Sequence, residues 1–137
     1  MILEVGVKIF LKNKEGKILL LKRSPEKYGE TSGRWDIPGG RIIPGSELVD
    51  NLKREVREET QLEIIEIPRF VYAQDIILPD SKKHVVRLSF EGRTLAGNKV
   101  VLNEEHTAYK WLSLKEIEHQ EGLDRYVKEI VDNGIIK

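Results

Sequence analysis

The sequence predicts an α+β or mixed α/β fold, with helices packed on a mixed sheet. Three observations lead there. Several short runs alternate apolar residues with others as strands do, and two segments repeat their apolar residues at helical spacing. Strands and helices also follow one another without a regular βαβ alternation.

Taken in order, Val5, Val7, Ile9 and Leu11 alternate as a strand with one buried face requires. Asn13-Lys14-Glu15-Gly16 reads as a turn into a second strand, Lys17–Lys22. Ser24 to Arg34 contains Pro25, Gly29, Ser32 and Gly33 and reads as a surface loop. Trp35-Asp36-Ile37-Pro38 is expected to enter a tight Gly39-Gly40 turn, with another break at Pro44-Gly45. Ser46 to Thr60 reads as a helix, with Ser46 as N-cap and Glu47 in the first turn, where the dipole favours an anion. Strands are expected over Leu62–Ile67, Phe70–Leu78 and His84–Leu95, with a shorter one over Ala108–Leu112. Ser113-Leu114-Lys115-Glu116 has capping-box spacing. Leu123, Tyr126, Val127, Ile130 and Val131 follow a helical period that Gly134 stops.

Composition bounds the function. A chain of 137 residues is the size of one domain, residues 1–137, without repeats or low-complexity tracts. Lys plus Arg number 23 and Asp plus Glu number 23, so no net positive field draws a nucleic-acid polymer. Cys is absent, which excludes disulfides, thiolate metal sites and cysteine nucleophiles. No apolar run approaches the ~20 residues of a membrane helix. The start, Met1 to Lys8, alternates like a strand and lacks the layout of a signal peptide. A soluble, cytoplasmic, single-domain protein without a membrane partner is expected.

The richest segment is the helix containing Arg54-Glu55-Val56-Arg57-Glu58-Glu59. At ~100° per residue, Leu48, Leu52 and Val56 form an apolar stripe, and Asp50, Lys53 and Arg57 face solvent. Glu55 and Glu59 project beside the stripe, with Glu58 flanking them. Three carboxylates turned toward the protein body repel one another unless a cation lies between them. Hard oxygen donors favour Mg²⁺, or alternatively Mn²⁺, over zinc. The bland alternative is a charged helix whose acids pair with Arg54, Arg57 and Lys53, although those bases lie mostly on the other side.

Residues 40–62 resemble the signature of the Nudix hydrolases, with Gly40, Arg54, Glu55, Val56, Glu58, Glu59 and Leu62 at their expected spacing. The flanks Trp35 to Arg41 and Glu104-Glu105-His106…Trp111-Leu112-Ser113 resemble the family too. The resemblance implies an α/β/α sandwich and hydrolysis of a small nucleotide at its diphosphate, yielding a nucleoside monophosphate with a phosphorylated partner or pyrophosphate. By the same resemblance Glu55, Glu58, Glu59 and the Gly39 carbonyl hold divalent ions, and Arg54 orients a catalytic glutamate by ion pairing. It further implies phosphate contacts from a basic residue such as Arg23, and an extra metal ligand or general base at Glu104 or Glu105. Arg41, just past the glycines, is a second candidate for the diphosphate, because Arg grips phosphate oxygens bidentately. Homodimers are common among such relatives.

Three positions depart from the pattern. Ser46 replaces the first Glu of the signature, Gln61 replaces the Gly after the glutamate pair, and Asn51 stands where a small residue is usual. Ser46 and Gln61 support an alternative reading, a non-catalytic nucleotide-binding module. A Nudix-fold isomerase typically uses a Cys, which this chain lacks. His84, His106 and His119 show no zinc spacing, and His106 reads as a loop hydrogen-bonder. Trp35 and Trp111 read as core anchors, whereas Tyr28 and Tyr72 are candidates for stacking on a base.

Overall fold

Alternating apolar residues place strand β1 (Ile2–Lys12) at the centre of the molecule. Val7, Ile9 and Leu11 face one core, while Phe10 faces a second on the opposite side. Strand β2 (Ile18–Arg23) behaves alike: Leu19 and Leu21 enter the first core, Ile18 and Leu20 the second. Burial on both faces explains why this strand reads as a continuous apolar run rather than an alternating one.

The computed structural model describes residues 1–28, 33–95 and 99–137. Among these, β1 and β2 belong to a curled, mixed seven-stranded sheet with β3 (Trp35–Asp36), β4 (Gly39–Arg41), β5 (Ile65–Leu78), β6 (Lys83–Arg93) and β7 (His106–Leu112). Its order is β3-β2-β1-β6-β5, with β4 paired to β1 and β7 to β2. Strands β1 and β6 are parallel, and every other pairing is antiparallel. Helix α2 (Leu48–Thr60) covers the first core through Leu52 and Val56. Helices α3 (Leu114–Glu118) and α4 (Arg125–Asp132) cover the second through Ile117, Val127, Ile130 and Val131. The expected α+β sandwich is therefore present.

Several local expectations need correction. Gly39-Gly40 is not a turn but part of β4, with Gly39 opposite Lys8 and Gly40 opposite Val7. The two strands expected between Leu62 and Leu78 are one long strand, β5, irregular near Pro68 and Glu66, where Glu66 has φ 64°. Strand β6 stops at Arg93 rather than Leu95, and β7 starts two residues earlier than expected, at His106. The first part of the Ser24–Arg34 loop forms a short helix, α1 (Pro25–Tyr28). Its residues 29–32 and the Tyr28 side chain lie outside what is described. Helix α2 is capped at Glu47, not Ser46, and Leu48 is exposed rather than part of the buried stripe. The capping box at Ser113 is formed from both sides, and Gly134 ends the last helix at φ 65°.

Candidate active site

The site begins with how α2 is anchored. Asn51 is fully buried, and its Oδ1 accepts from the Ile43 amide at 3.0 Å and from Arg54 Nη2 at 3.1 Å. Its Nδ2 donates to the Arg41 carbonyl at 3.4 Å. The amide thus ties the segment after β4 to the helix, a role its departure from the family pattern did not suggest. Arg54 also donates to Glu55 Oε1 at 3.1 Å and to Glu58 Oε2 at 2.9 Å. One guanidinium therefore fixes two acids and is itself fixed by Asn51.

A cavity of about 700 Å³ opens at the end of the sheet where β4 meets β1. That volume is within the range of small-molecule sites. Glu55 and Glu59 of α2 reach it past β4, and Glu105 reaches it from the turn before β7. The backbone demands glycine at Gly39, and at Gly40 the Glu55 carboxylate takes the place of a side chain. A Cβ on Gly39 would lie 2.0 Å from the Val7 carbonyl oxygen, and one on Gly40 would lie 2.8 Å from the Glu55 carboxylate. Gly39 also donates its amide to Glu59 Oε1 at 3.2 Å.

Glu59 is almost completely buried. Burial pushes its carboxyl well above the ordinary value, Glu55 and Glu105 push it the same way, and Lys8 with the Gly39 amide only partly oppose them. A cation beside it would relieve that crowding. Ligand atoms of Glu59, Glu105 and His106 lie within 4.8 Å of one another, and among the described residues this is the one such group of three. Its oxygen and imidazole donors suit a divalent ion. His106 is buried at the first position of β7 rather than in a loop. Burial lowers its imidazole to about 4, Lys8 and Arg23 add to that effect, and Asp36 opposes it. Glu58, by contrast, is half exposed and turned toward Arg54, and Glu104 is exposed.

Opposite the acids lies a buried ionic hub that sequence reasoning missed. Asp36 is inaccessible and pairs with Arg23, with Lys8 at 3.0 Å and with Arg87 at 3.0 Å. Asp124 pairs with Arg23 at 2.9 Å and with Arg87 at 3.5 Å, while its Oδ1 caps α4 through the amides of Tyr126 and Val127. Burial alone would raise the Asp36 carboxyl, but Arg87, Lys8 and Arg23 outweigh it and hold the group well below its usual range. Arg23 is raised for the matching reason: burial lowers it, and Asp36 and Asp124 more than compensate. Both Arg23 and Arg41 line the cavity, Arg41 from an exposed position where it pairs with Glu4 at 2.7 Å. Trp35 sits in the second core with the Lys110 ammonium 4.6 Å from its ring, and Trp111 packs against the first. Tyr72 does not line this cavity. The ion-paired residues of the hub lie 13 to 101 positions apart in sequence, so only the tertiary fold brings them together.

Residues 3–132 match the family model described as NUDIX domain. Over 113 residues the chain is 32% identical to the nucleoside triphosphatase NudI of Escherichia coli strain K12, covering 77% of this chain and 79% of that protein. The fold superposes on a MutT protein from Methanosarcina mazei Go1 with a TM-score of 0.83 at 30% identity, covering 96% of this chain and 92% of the other. A MutT NUDIX hydrolase from Burkholderia pseudomallei shares the fold with a TM-score of 0.79 at 22% identity, over 98% of this chain and 99% of that one.

Proposed function

The chain belongs to the NUDIX domain family and is a hydrolase of phosphoric anhydride bonds, and we propose that it cleaves the diphosphate of a small nucleotide with the help of Mg²⁺. A nucleoside triphosphate is the favoured substrate, because the NudI relative is a nucleoside triphosphatase. Mn²⁺ is the alternative ion. The observation that bears most weight is the buried Glu59 carboxylate, held by the Gly39 amide and crowded by Glu55 and Glu105 at the mouth of a ligand-sized cavity.

In this reading Glu55 and Glu59 would hold the ion with the Gly39 carbonyl, and Glu58 would join from its place beside Arg54. A bound divalent ion neutralises the diphosphate and lowers the pKa of an attacking water. Arg54 keeps Glu55 and Glu58 in place through its two carboxylate contacts. Arg41 and Arg23 grip phosphate oxygens on the cavity wall. Glu105 is the favoured general base, because it lines the cavity whereas Glu104 is exposed.

Further parts of the reading are that residues 1–137 form one domain, that the protein is cytoplasmic, and that its partner is a small nucleotide rather than a nucleic-acid polymer. A homodimer is the proposed assembly. Departure from the signature at Gln61 does not interrupt α2, because Gln61 takes the left-handed conformation, φ 61°, that ends the helix. A screen of nucleoside triphosphates and nucleoside diphosphate derivatives with Mg²⁺, identifying both products, tests the proposal. A nucleoside monophosphate plus pyrophosphate, or plus a phosphorylated partner, is expected. Release of inorganic phosphate alone contradicts it.

A further inference from the structure

Gly6 is a glycine that the fold itself does not require. It sits inside β1, opposite Arg41 on β4 and Arg87 on β6. Its backbone lies outside the left-handed region, unlike that of Gly39 at φ 139°. A Cβ built on it would meet Val85 Cγ1 at 3.7 Å, Arg41 Cδ at 3.8 Å and the Gly40 carbonyl at 3.8 Å, all ordinary contacts. A glycine within a strand weakens that strand, and one explanation for tolerating it is the close approach of a ligand. Gly6 lines the large cavity.

The surroundings say which part of a ligand lies there. The acids occupy the end near β4, where Gly39 and Gly40 border Glu59 and Glu55. From Gly6 the floor runs the other way, over Val85 of β6 to its partner Ile76 of β5, and both are apolar. Adjacent strands lie ~4.8 Å apart, so this floor reaches about 10 Å beyond β1. Tyr126 lines the same cavity from α4, with the Arg87 guanidinium 5.8 Å from its ring. The apolar floor of Val85 and Ile76 is thus bordered by the Arg87 guanidinium and by that of Arg125, 5.1 Å from the same ring. A planar heterocycle suits such a lining because it packs on apolar surface and stacks on guanidinium planes.

We infer that Gly6 is a specificity-determining residue: its bare backbone, with Val85 and Ile76, is the floor on which the base of the bound nucleotide lies. The inference rests on the nucleotide reading of the cavity and adds to it where the base goes and what limits its fit. A side chain at position 6 fills space that the base needs, and an alanine Cβ there makes only ordinary contacts with the Arg41 stem and the Gly40 carbonyl, so Gly6→Ala leaves the phosphate end in place.

The test uses the full chain with Gly6→Ala and Gly6→Val, and calorimetric titration in Mg²⁺. The probes are the four α,β-imido nucleoside triphosphates and, as a base-free anion, inorganic tripolyphosphate. Wild type is expected to bind at least one nucleotide analogue more tightly than tripolyphosphate. Both variants should melt at or above the wild-type temperature, because alanine and valine suit a strand better than glycine. Nucleotide affinity should fall at least ~tenfold in Gly6→Val and by less in Gly6→Ala, with tripolyphosphate affinity changed less than about twofold in Gly6→Ala and by less than the nucleotide affinity in Gly6→Val. A lowered melting temperature in Gly6→Ala would mean a structural glycine and overturn the inference. Equal losses for nucleotide and tripolyphosphate, or no loss for either, would overturn it as well. A wild-type protein that neither binds nor cleaves any nucleotide sinks the underlying reading together with the inference. Nucleotide binding that ignores both substitutions sinks the inference alone.

Discussion

Single side chains and single missing side chains set the chemistry of this cavity. Asp36 is buried among Lys8, Arg23 and Arg87, and removing its charge leaves three cations without their common partner. Asp36→Asn is therefore expected to cost about 3–5 kcal/mol in denaturant unfolding. The same group sets an acid limit. Its folded-state pKa lies well below the unfolded value of about 3.9, so the unfolded chain takes up the proton first as pH falls. The stabilisation is complete above that unfolded value and is lost as pH drops toward the folded one. Wild type should lose melting temperature steeply below about pH 4, and Asp36→Asn should lack that component. Parallel profiles would show that the hub does not govern acid stability. The two β4 glycines should separate fold from function. Gly39→Ala drives a Cβ into the Val7 carbonyl and should abolish cooperative unfolding. Gly40→Ala meets only the end of the Glu55 side chain, so it should fold while kcat drops ~10²-fold through displacement of that carboxylate. Glu55 and Glu59 were legible in the sequence because helical spacing alone sets them beside the apolar stripe. Asp36, Asp124 and Lys8 were not, because their partners lie on other strands and no local period marks them.

At the scale of elements, α2 shows where local rules suffice and where neighbours override them. Its span was readable to within two residues, from the spacing of Leu52 and Val56 and the break at Pro44-Gly45. Its cap was not, because the chain leaves β4 in a turn that pairs the Ser46 amide with the Ile43 carbonyl. That turn moves the cap to Glu47, and the Ser46 hydroxyl is left with a 3.5 Å contact to the Glu47 carbonyl. Ser46→Ala should consequently change stability by less than about 0.5 kcal/mol, below the usual cost of losing an N-cap. The other end gives the opposite expectation. Gln61 holds φ 61°, a conformation that costs a side-chain-bearing residue roughly 1 kcal/mol, so Gln61→Gly should raise stability by about that much. An unchanged midpoint in Gln61→Gly would mean that the cap is not strained. The β4 strand was misread as a turn for a related reason. Two glycines in sequence signal a turn locally, whereas here they serve a close approach to β1 and to α2.

Over the whole molecule, the parallel pairing of β1 with β6 and the short β4 on the other flank of β1 draw the functional groups into one cavity. Helix α2 delivers its acids from one face of the sheet, and α4 with its Asp124 cap borders the cavity from the other. The fold class was legible because two periods in the sequence mark strands and helices. The sheet order was not, because pairing between distant strands leaves no local trace. The signature resemblance supplied what periodicity lacks, namely which acids belong together. The structure brings the candidate Glu105 beside Glu59 and adds His106 of β7, both more than forty residues away in sequence. The central claim is that the buried Glu59 carboxylate serves hydrolysis rather than folding. It is tested most directly by steady-state turnover of a nucleoside triphosphate in Mg²⁺ by wild type and Glu59→Gln, each also assayed in chelator. The expected result is a normally folded Glu59→Gln protein with kcat lowered at least ~10²-fold, and wild-type turnover that chelator abolishes and Mg²⁺ restores. Undiminished hydrolysis by folded Glu59→Gln, or by wild type in chelator, would contradict the account.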